Sequence, residues 1–309
     1  SGFLIDFWGW RSVFVVLGSV TVVVIALAFP LLADVVKRPS APERFDVPSG
    51  LLYTLGSCAI MAGVTLAESG GGLALSAIFA FAAGAAALAV FARRQLRIEN
   101  PLLKLACFRS RTFTVSTMLV LMANMAFMAG SIMVPLFVQD VQGASAAVSG
   151  LTILPGAVLL GLLNPVTGRM LDRHGPRPLI AVGCTVLVTG TLAFCLLDAD
   201  TPEWVVTVLY GVRTGGVACL MMPLTAHACT TLSTADIAQG TAIITSLRQI
   251  FGSIASSALI AVMASASGNA LGIDAFGFGV SFAVQAALIA IGFVVGMVFL
   301  PRAASASKG

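Results

Sequence analysis

The stretch "VSGLTILPGAVLLGLLNPVTGRMLDRHGPRP", residues 148–178, decides the fold class. Its first part, 148–167, is a long apolar run without a charged residue, whereas 168–178 crowds Arg169, Asp172, Arg173, His174 and Arg177 together. A helix needs about 20 mostly apolar residues to cross a hydrocarbon core about 30 Å thick. The first part has that length, and the second reads as a short cytoplasmic hairpin where the chain meets water and turns back.

Runs of the same kind recur at 12–33, 49–67, 72–91, 113–137, 179–197, 204–226, 241–264 and 276–300, which makes nine with 148–167. Hydrophobic residues make up 58% of the chain and charged residues 10%, against about 25% charged in a soluble domain. The mean hydropathy is +1.02. Spanning barrels read as alternating strands of about ten residues, whereas these runs are continuous and longer. The expected fold is therefore an all-α integral membrane protein with nine transmembrane helices.

Charge sets the expected orientation, because basic residues collect in cytoplasmic loops. Lys37, Arg38 and Arg44 follow the first run; Arg93, Arg94, Arg97, Lys104, Arg109 and Arg111 follow the third. Arg169, Arg173 and Arg177 follow the fifth, and Arg302 and Lys308 the ninth, so fourteen of the seventeen basic residues share one side. Arg11 alone falls on the other, with Asp6, Glu68, Asp140, Asp198, Asp200, Glu203 and Asp274. This places residues 1–11 outside and the C-terminus in the cytoplasm, in a multi-pass protein of the plasma (inner) membrane. The net charge of +4 is thus a topology signal that points to membrane lipid as neighbour and to no nucleic acid. The opening "SGFLIDFWGWRSVF" lacks Met and the layout of a signal peptide, and it reads as the start of a fragment. Trp8 and Trp10 suit an interfacial belt.

Enzymatic and metal chemistry find no support. Cys58, Cys107, Cys184, Cys195, Cys219 and Cys229 show no C-x-x-C spacing, and the two histidines, His174 and His227, have no helical ligand partner. Phosphate loops, nucleophile elbows and metalloprotease helices are missing as well. Neither a metal nor a cofactor is expected. All thirteen carboxylates fall in loops or at their edges.

The segment "GRMLDRHGPR" resembles the cytoplasmic loop signature of the major facilitator superfamily, G-x-x-x-D-R-x-G-x-R, with Gly168, Asp172, Arg173, Gly175 and Arg177 at the matching positions. Gly168 would allow close helix approach, Asp172 would sit against a helix N-terminus or an arginine, and Gly175 with Pro176 would turn the chain. Further along, "SGFLIDFWGWRSVF", "ERFDVPSGLL", "IENPLLKLACFRSRTF" and "GTAIITSLRQIFGSIASS" resemble, in order and spacing, parts of the fourteen-span drug:proton antiporters of that superfamily. The resemblance implies that the N-terminal spans are missing. Residues 1–45 would end the N-terminal helix bundle, 46–112 would hold two linker helices and a basic loop, and 113–309 the C-terminal six-helix bundle with a short tail. It also implies export of small lipophilic, often cationic, substrates in exchange for protons, driven by a proton gradient. An organic-anion carrier of the same fold and a non-transporting membrane partner or regulator remain open as alternatives.

Charge inside a span costs enough to mark function, and two arginines fall there. In "TVLYGVRTGGVACLMMP", Gly211 and Gly215 read as one close-packing face, with Arg213 pointing nearly opposite on a stripe with Tyr210, Val217 and Leu220. Arg213 and Tyr210 are therefore candidates for a cavity, the alternative being an arginine held by carbonyls or a neighbouring helix. Arg248, Gln249 and Gly252 read as an interhelical set. Asn124, Met128, Ser131 and Pro135 share one stripe of a methionine-rich span, with Pro135 as a bend; the first three are candidate substrate contacts because soft side chains accept many shapes, the alternative being ordinary apolar packing with a polar interhelical bond.

Overall fold

The computed structural model describes residues 8–31, 46–69, 75–98, 103–233, 236–267 and 274–299. Among them nine helices are long and apolar enough to cross a membrane. They are α1 (Trp10–Leu31), α2 (Val47–Ser69), α3 (Leu75–Gln95), α4 (Arg111–Leu136), α5 (Ala146–His174), α6 (Pro176–Ala193), α7 (Glu203–Cys229), α8 (Ile237–Ala266) and α9 (Ala275–Phe299). No strand occurs among the described residues. Lys37, Arg38, Arg44, Arg302, Lys308, Asp6 and the first seven residues of "SGFLIDFWGWRSVF" lie outside the described set, as do 43–45 and 99–102 of the other quoted segments and the side chain of Trp10.

One expectation is corrected at once. Residues 168–174 are the last two turns of α5, not part of a hairpin loop. Arg169, Met170, Leu171 and Arg173 are good helix formers, and nothing breaks the helix before Gly175, whose φ of 75° turns the chain while its N–H donates to the Leu171 carbonyl at 2.9 Å. Pro176 then starts α6 at a position where no N–H is needed. The turn between the two spans is a single residue.

Small residues set how closely the helices approach. At the α6–α7 crossing, a Cβ placed on Gly216 would lie 2.8 Å from the Leu187 nitrogen and 3.0 Å from the Gly183 carbonyl oxygen, so backbone meets backbone there. The α2–α3 pair repeats this, with Gly84 backed by the Gly56 carbonyl and the Ile60 nitrogen, both 2.9 Å from a Cβ. Without a hydrophobic drive between helices in lipid, such close van der Waals contact is a principal source of association.

α4 and α7 form the centre of the α4–α9 bundle, and most of its fully buried side chains belong to these helices and to α9. α7 packs on α4, α5 and α6, while α4 also meets α8 and α9. Aromatic rings pack within this core, Phe137 edge-on to Phe278 at 5.2 Å and Phe194 stacked on Phe282 at 4.8 Å between centroids. In contrast, α1 exposes Phe14 (67%) and Leu17 (59%), surface that needs lipid or another apolar helix around it.

Polar contacts gather at the ends of the spans. Arg94 at the end of α3 donates from Nη2 to Asp46 Oδ1 at 3.0 Å and from Nε to Asp46 Oδ2 at 3.2 Å. Lys104 Nζ meets Asp236 Oδ1 at 2.5 Å. Bonding to Arg94 and then Ser49 holds the Asp46 carboxyl below its ordinary 3.8, and bonding to Lys104 and then Ser233 does the same for Asp236. Lowered carboxylates keep their partners at neutral pH and release them only as pH falls through the lowered range. Both pairs are therefore closed across the physiological span.

Candidate functional site

Arg213 lies in the middle of α7 and is 1% exposed. Its Nη2 donates to the Ala126 carbonyl on α4 and, at 2.7 Å, to Gln285 Oε1 on α9, while Nε donates to Thr191 Oγ1 on α6 at 3.3 Å. Four helices meet at this one side chain. The Phe282 ring lies 5.8 Å from the guanidinium carbon. Room for the group comes from Gly130, where any Cβ would collide with the guanidinium, and from Gly190, whose Cβ would lie 3.2 Å from the Arg213 Cα.

Of the two readings open for Arg213, this arrangement matches the arginine held by carbonyls and neighbouring helices: the guanidinium points into the bundle onto protein acceptors. The close-packing face of α7 corrects an expectation: a Cβ on Gly211 meets nothing within 4 Å, and one on Gly215 meets only Leu159 and Leu163 at an ordinary 3.6 Å. Gly216 makes the tight crossing instead. At about 100° per residue, Gly216 lies within about 60° of Arg213, so the packed face and the arginine share one side. Tyr210 is buried one turn earlier, its ring against Gly156 of α5, where a Cβ would come within 2.5 Å of Cδ1.

A second polar node joins α4 to α8. Asn124, 3% exposed, donates its Nδ2 to the Arg248 carbonyl at 2.8 Å. Gly252 clears the way, since a Cβ there would lie 2.5 Å from the same nitrogen and 3.1 Å from Met128 Cγ. The structure thus brings together Asn124 and Met128, expected as substrate contacts, with Arg248 and Gly252, expected as an interhelical set. The amide of Asn124 is turned into the helix crossing and away from any opening. Arg248 takes part through its backbone, and its buried Nε has no hydrogen-bond partner among the described residues. Ser131 donates to the Met128 carbonyl of its own helix at 2.8 Å, and Gln249 is exposed.

The charged segment at the end of α5 makes a different picture. Asp172 and Arg173 are exposed in the last turn. Asp172 has no hydrogen bond or ion pair among the described residues, so the expected contact with a helix N-terminus or arginine is not formed there. A carboxylate at a helix C-terminus opposes the macrodipole by about 0.3–1 kcal/mol. Gly168 makes no close approach either, because a Cβ there meets nothing within 4 Å.

Gln285, Thr191, Gly130 and Gly190 were not anticipated as partners of Arg213. Gln285 had a visible signal as the lone amide in the apolar run "AFGFGVSFAVQAALIAIGFVVGMVF". The others had none, because they are ordinary small residues whose role depends on distant helices.

Comparison with known proteins agrees with this architecture. The Major Facilitator Superfamily model matches residues 1–257. The chain is 30% identical over 301 residues to the uncharacterized MFS-type transporter YcnB of Bacillus subtilis, covering 96% of this chain and 63% of that protein. It is 31% identical over 267 residues to the lincomycin resistance protein LmrB of Listeria monocytogenes, covering 85% and 55%. A multidrug resistance protein B homolog of Mycobacterium tuberculosis is 30% identical over 269 residues, with 85% and 49% covered. The chain spans from about half to just under two thirds of the length of these relatives.

Proposed function

The chain belongs to the Major Facilitator Superfamily, a family of membrane transporters and not of enzymes, and we propose that it forms part of a multidrug efflux transporter. In this reading residues 1–45 close the N-terminal bundle, 46–112 are the linker helices and 113–309 the C-terminal six-helix bundle. The transporter exports small lipophilic, often cationic, compounds in exchange for protons through alternating access. What carries the reading is the closure of α4–α9 on the buried Arg213 node, since rocking of one bundle against another needs each to move as a rigid body. The relatives named for lincomycin and multidrug resistance supply the substrate class. Among the described residues the carboxylates lie in loops or at helix ends, so in this reading the proton-carrying acid belongs to the part of the relatives that this chain does not span.

The test is uphill efflux of a lipophilic cationic dye from vesicles carrying the full-length protein under an imposed pH gradient. Efflux that survives an uncoupler would rule out proton exchange, and no efflux of any such dye would rule out the reading. In the same vesicles, Asp172→Asn should slow turnover while dye affinity in detergent stays within about threefold, because Asp172 sits at a bundle end and touches no cavity wall. Lost affinity would move Asp172 into the binding site.

The same proposal includes an orientation, with the C-terminus in the cytoplasm. With fourteen of seventeen basic residues on one side, a cysteine at position 71 should react with an impermeant thiol reagent from outside, and one at 308 only after permeabilisation. The reverse pattern, on a background free of native cysteines, would invert the topology.

A further inference from the structure

The segment between α3 and α4 is fastened at both of its ends. On the side of the hairpin α2–α3, Gln95 is 3% exposed and its Oε1 accepts from the Leu103 nitrogen at 3.0 Å. Immediately before it, Arg94 grips Asp46, and its Nε also donates to Ser49 Oγ at 3.1 Å. On the side of the bundle, Lys104 meets Asp236 in the turn between α7 and α8 at 2.5 Å, and Ser233 donates to the other Asp236 oxygen at 2.7 Å. Ser110 donates to Thr231 at 3.0 Å in the same turn, and Cys107 of the segment itself is buried, 6% exposed. Inside the membrane α2 leans on α8.

A slack tether between two moving parts would be solvated along its length. Here the neighbouring residues Leu103 and Lys104 are bonded one to the hairpin, at Gln95, and the other to the bundle, at Asp236. One exposed ion pair holds little alone. In series with a buried glutamine contact, a hydroxyl pair and a helix contact in the membrane, it closes a continuous connection.

We propose that Lys104 and Asp236 latch the α2–α3 hairpin to the α4–α9 bundle, so that hairpin and bundle move as one body. Only the purpose of that motion rests on the transport reading above. Asp236 is accordingly a positioning residue that acts through Lys104, at a distance from any substrate.

Spin labels at Leu96, the exposed end of the hairpin, and at Ile237, at the start of α8, read the latch in the full-length protein in nanodiscs without requiring transport. The expected result is one narrow distance that stays the same with and without dye and between pH 8 and pH 5. Asp236→Asn should lower the ratio of latched to open protein about fivefold and broaden that distance, the most that one exposed ion pair supports, whereas Lys104→Arg should leave it narrow. A distance in the unaltered protein that shifts as far as labels placed across the two bundles would overturn the latch. As a check against misfolded variants, Lys104→Cys with Asp236→Cys, on a background free of native cysteines, should be joined by a short bifunctional methanethiosulfonate reagent that spans the length of the lost side chains, and keep its efflux. Efflux that stops on cross-linking and returns with reductant would show that the two sites separate in the cycle, and would also overturn it. A narrow, unchanging distance in a protein that moves no dye supports the latch and sinks the transport reading instead.

Discussion

Gly216→Ala is expected to force α6 and α7 apart and to lower the stability of the bundle by about 3 kcal/mol, the upper end of what overpacking costs. The reason is what the added methyl meets. Its nearest neighbours are the Leu187 nitrogen and α-carbon and the Gly183 carbonyl oxygen, all within 3.0 Å, and backbone cannot rotate out of the way. Gly215→Ala is the matched control, since its methyl meets only Leu159 and Leu163 side chains at 3.6 Å. Denaturant unfolding in mixed micelles should separate the two variants clearly. Equal losses, or no loss at 216, would mean that the crossing is not made by backbone contact.

Arg213→Ala should be the other severe change, costing about 3–5 kcal/mol, because it opens a cavity and strips donors from buried acceptors at once. Ala126, Thr191 and Gln285 belong to three different helices, and all lose their common partner. Arg213→Met fills much of the volume but still leaves the three acceptors without their donor. It should recover only the cavity part of the loss, with dye affinity unchanged. Lysine lacks the planar fork that serves several acceptors and should fall between. The decisive measurement pairs thermal unfolding with equilibrium binding. If Arg213→Met unfolds normally yet loses an anionic ligand, Arg213 is a substrate residue and the organic-anion alternative returns.

The sequence carried the spans well because run length against bilayer thickness is a strong constraint that tertiary packing does not override. It misleads at 168–174, where crowded charge reads as loop. Long basic side chains can snorkel from a helix end to water, so the helix continues until Gly175 and Pro176 stop it. At Gly211 and Gly215 the spacing was right for a small-residue face, yet which side of a helix meets a neighbour is decided by the neighbour. Gly216, next to Gly215 in the chain, faces the Gly183 backbone. Arg213 was noticed because buried charge is rare, whereas its partners were illegible because the Ala126 contact spans 87 positions.

The central place of α4 has a consequence for biogenesis. α4 is the first helix of the bundle to leave the ribosome, yet its main partners are α7, α8 and α9. The Asn124 amide finds its acceptor 124 positions later in the chain. At about 5–20 residues synthesised per second, that wait is on the order of 6–25 s. Throughout it, α4 sits in the bilayer with its polar groups satisfied only provisionally, by its own backbone, lipid headgroups or the translocation machinery. Insertion follows chain order, but assembly does not: the helix that enters first is completed last, and a nascent chain stalled before α8 leaves that amide without its acceptor.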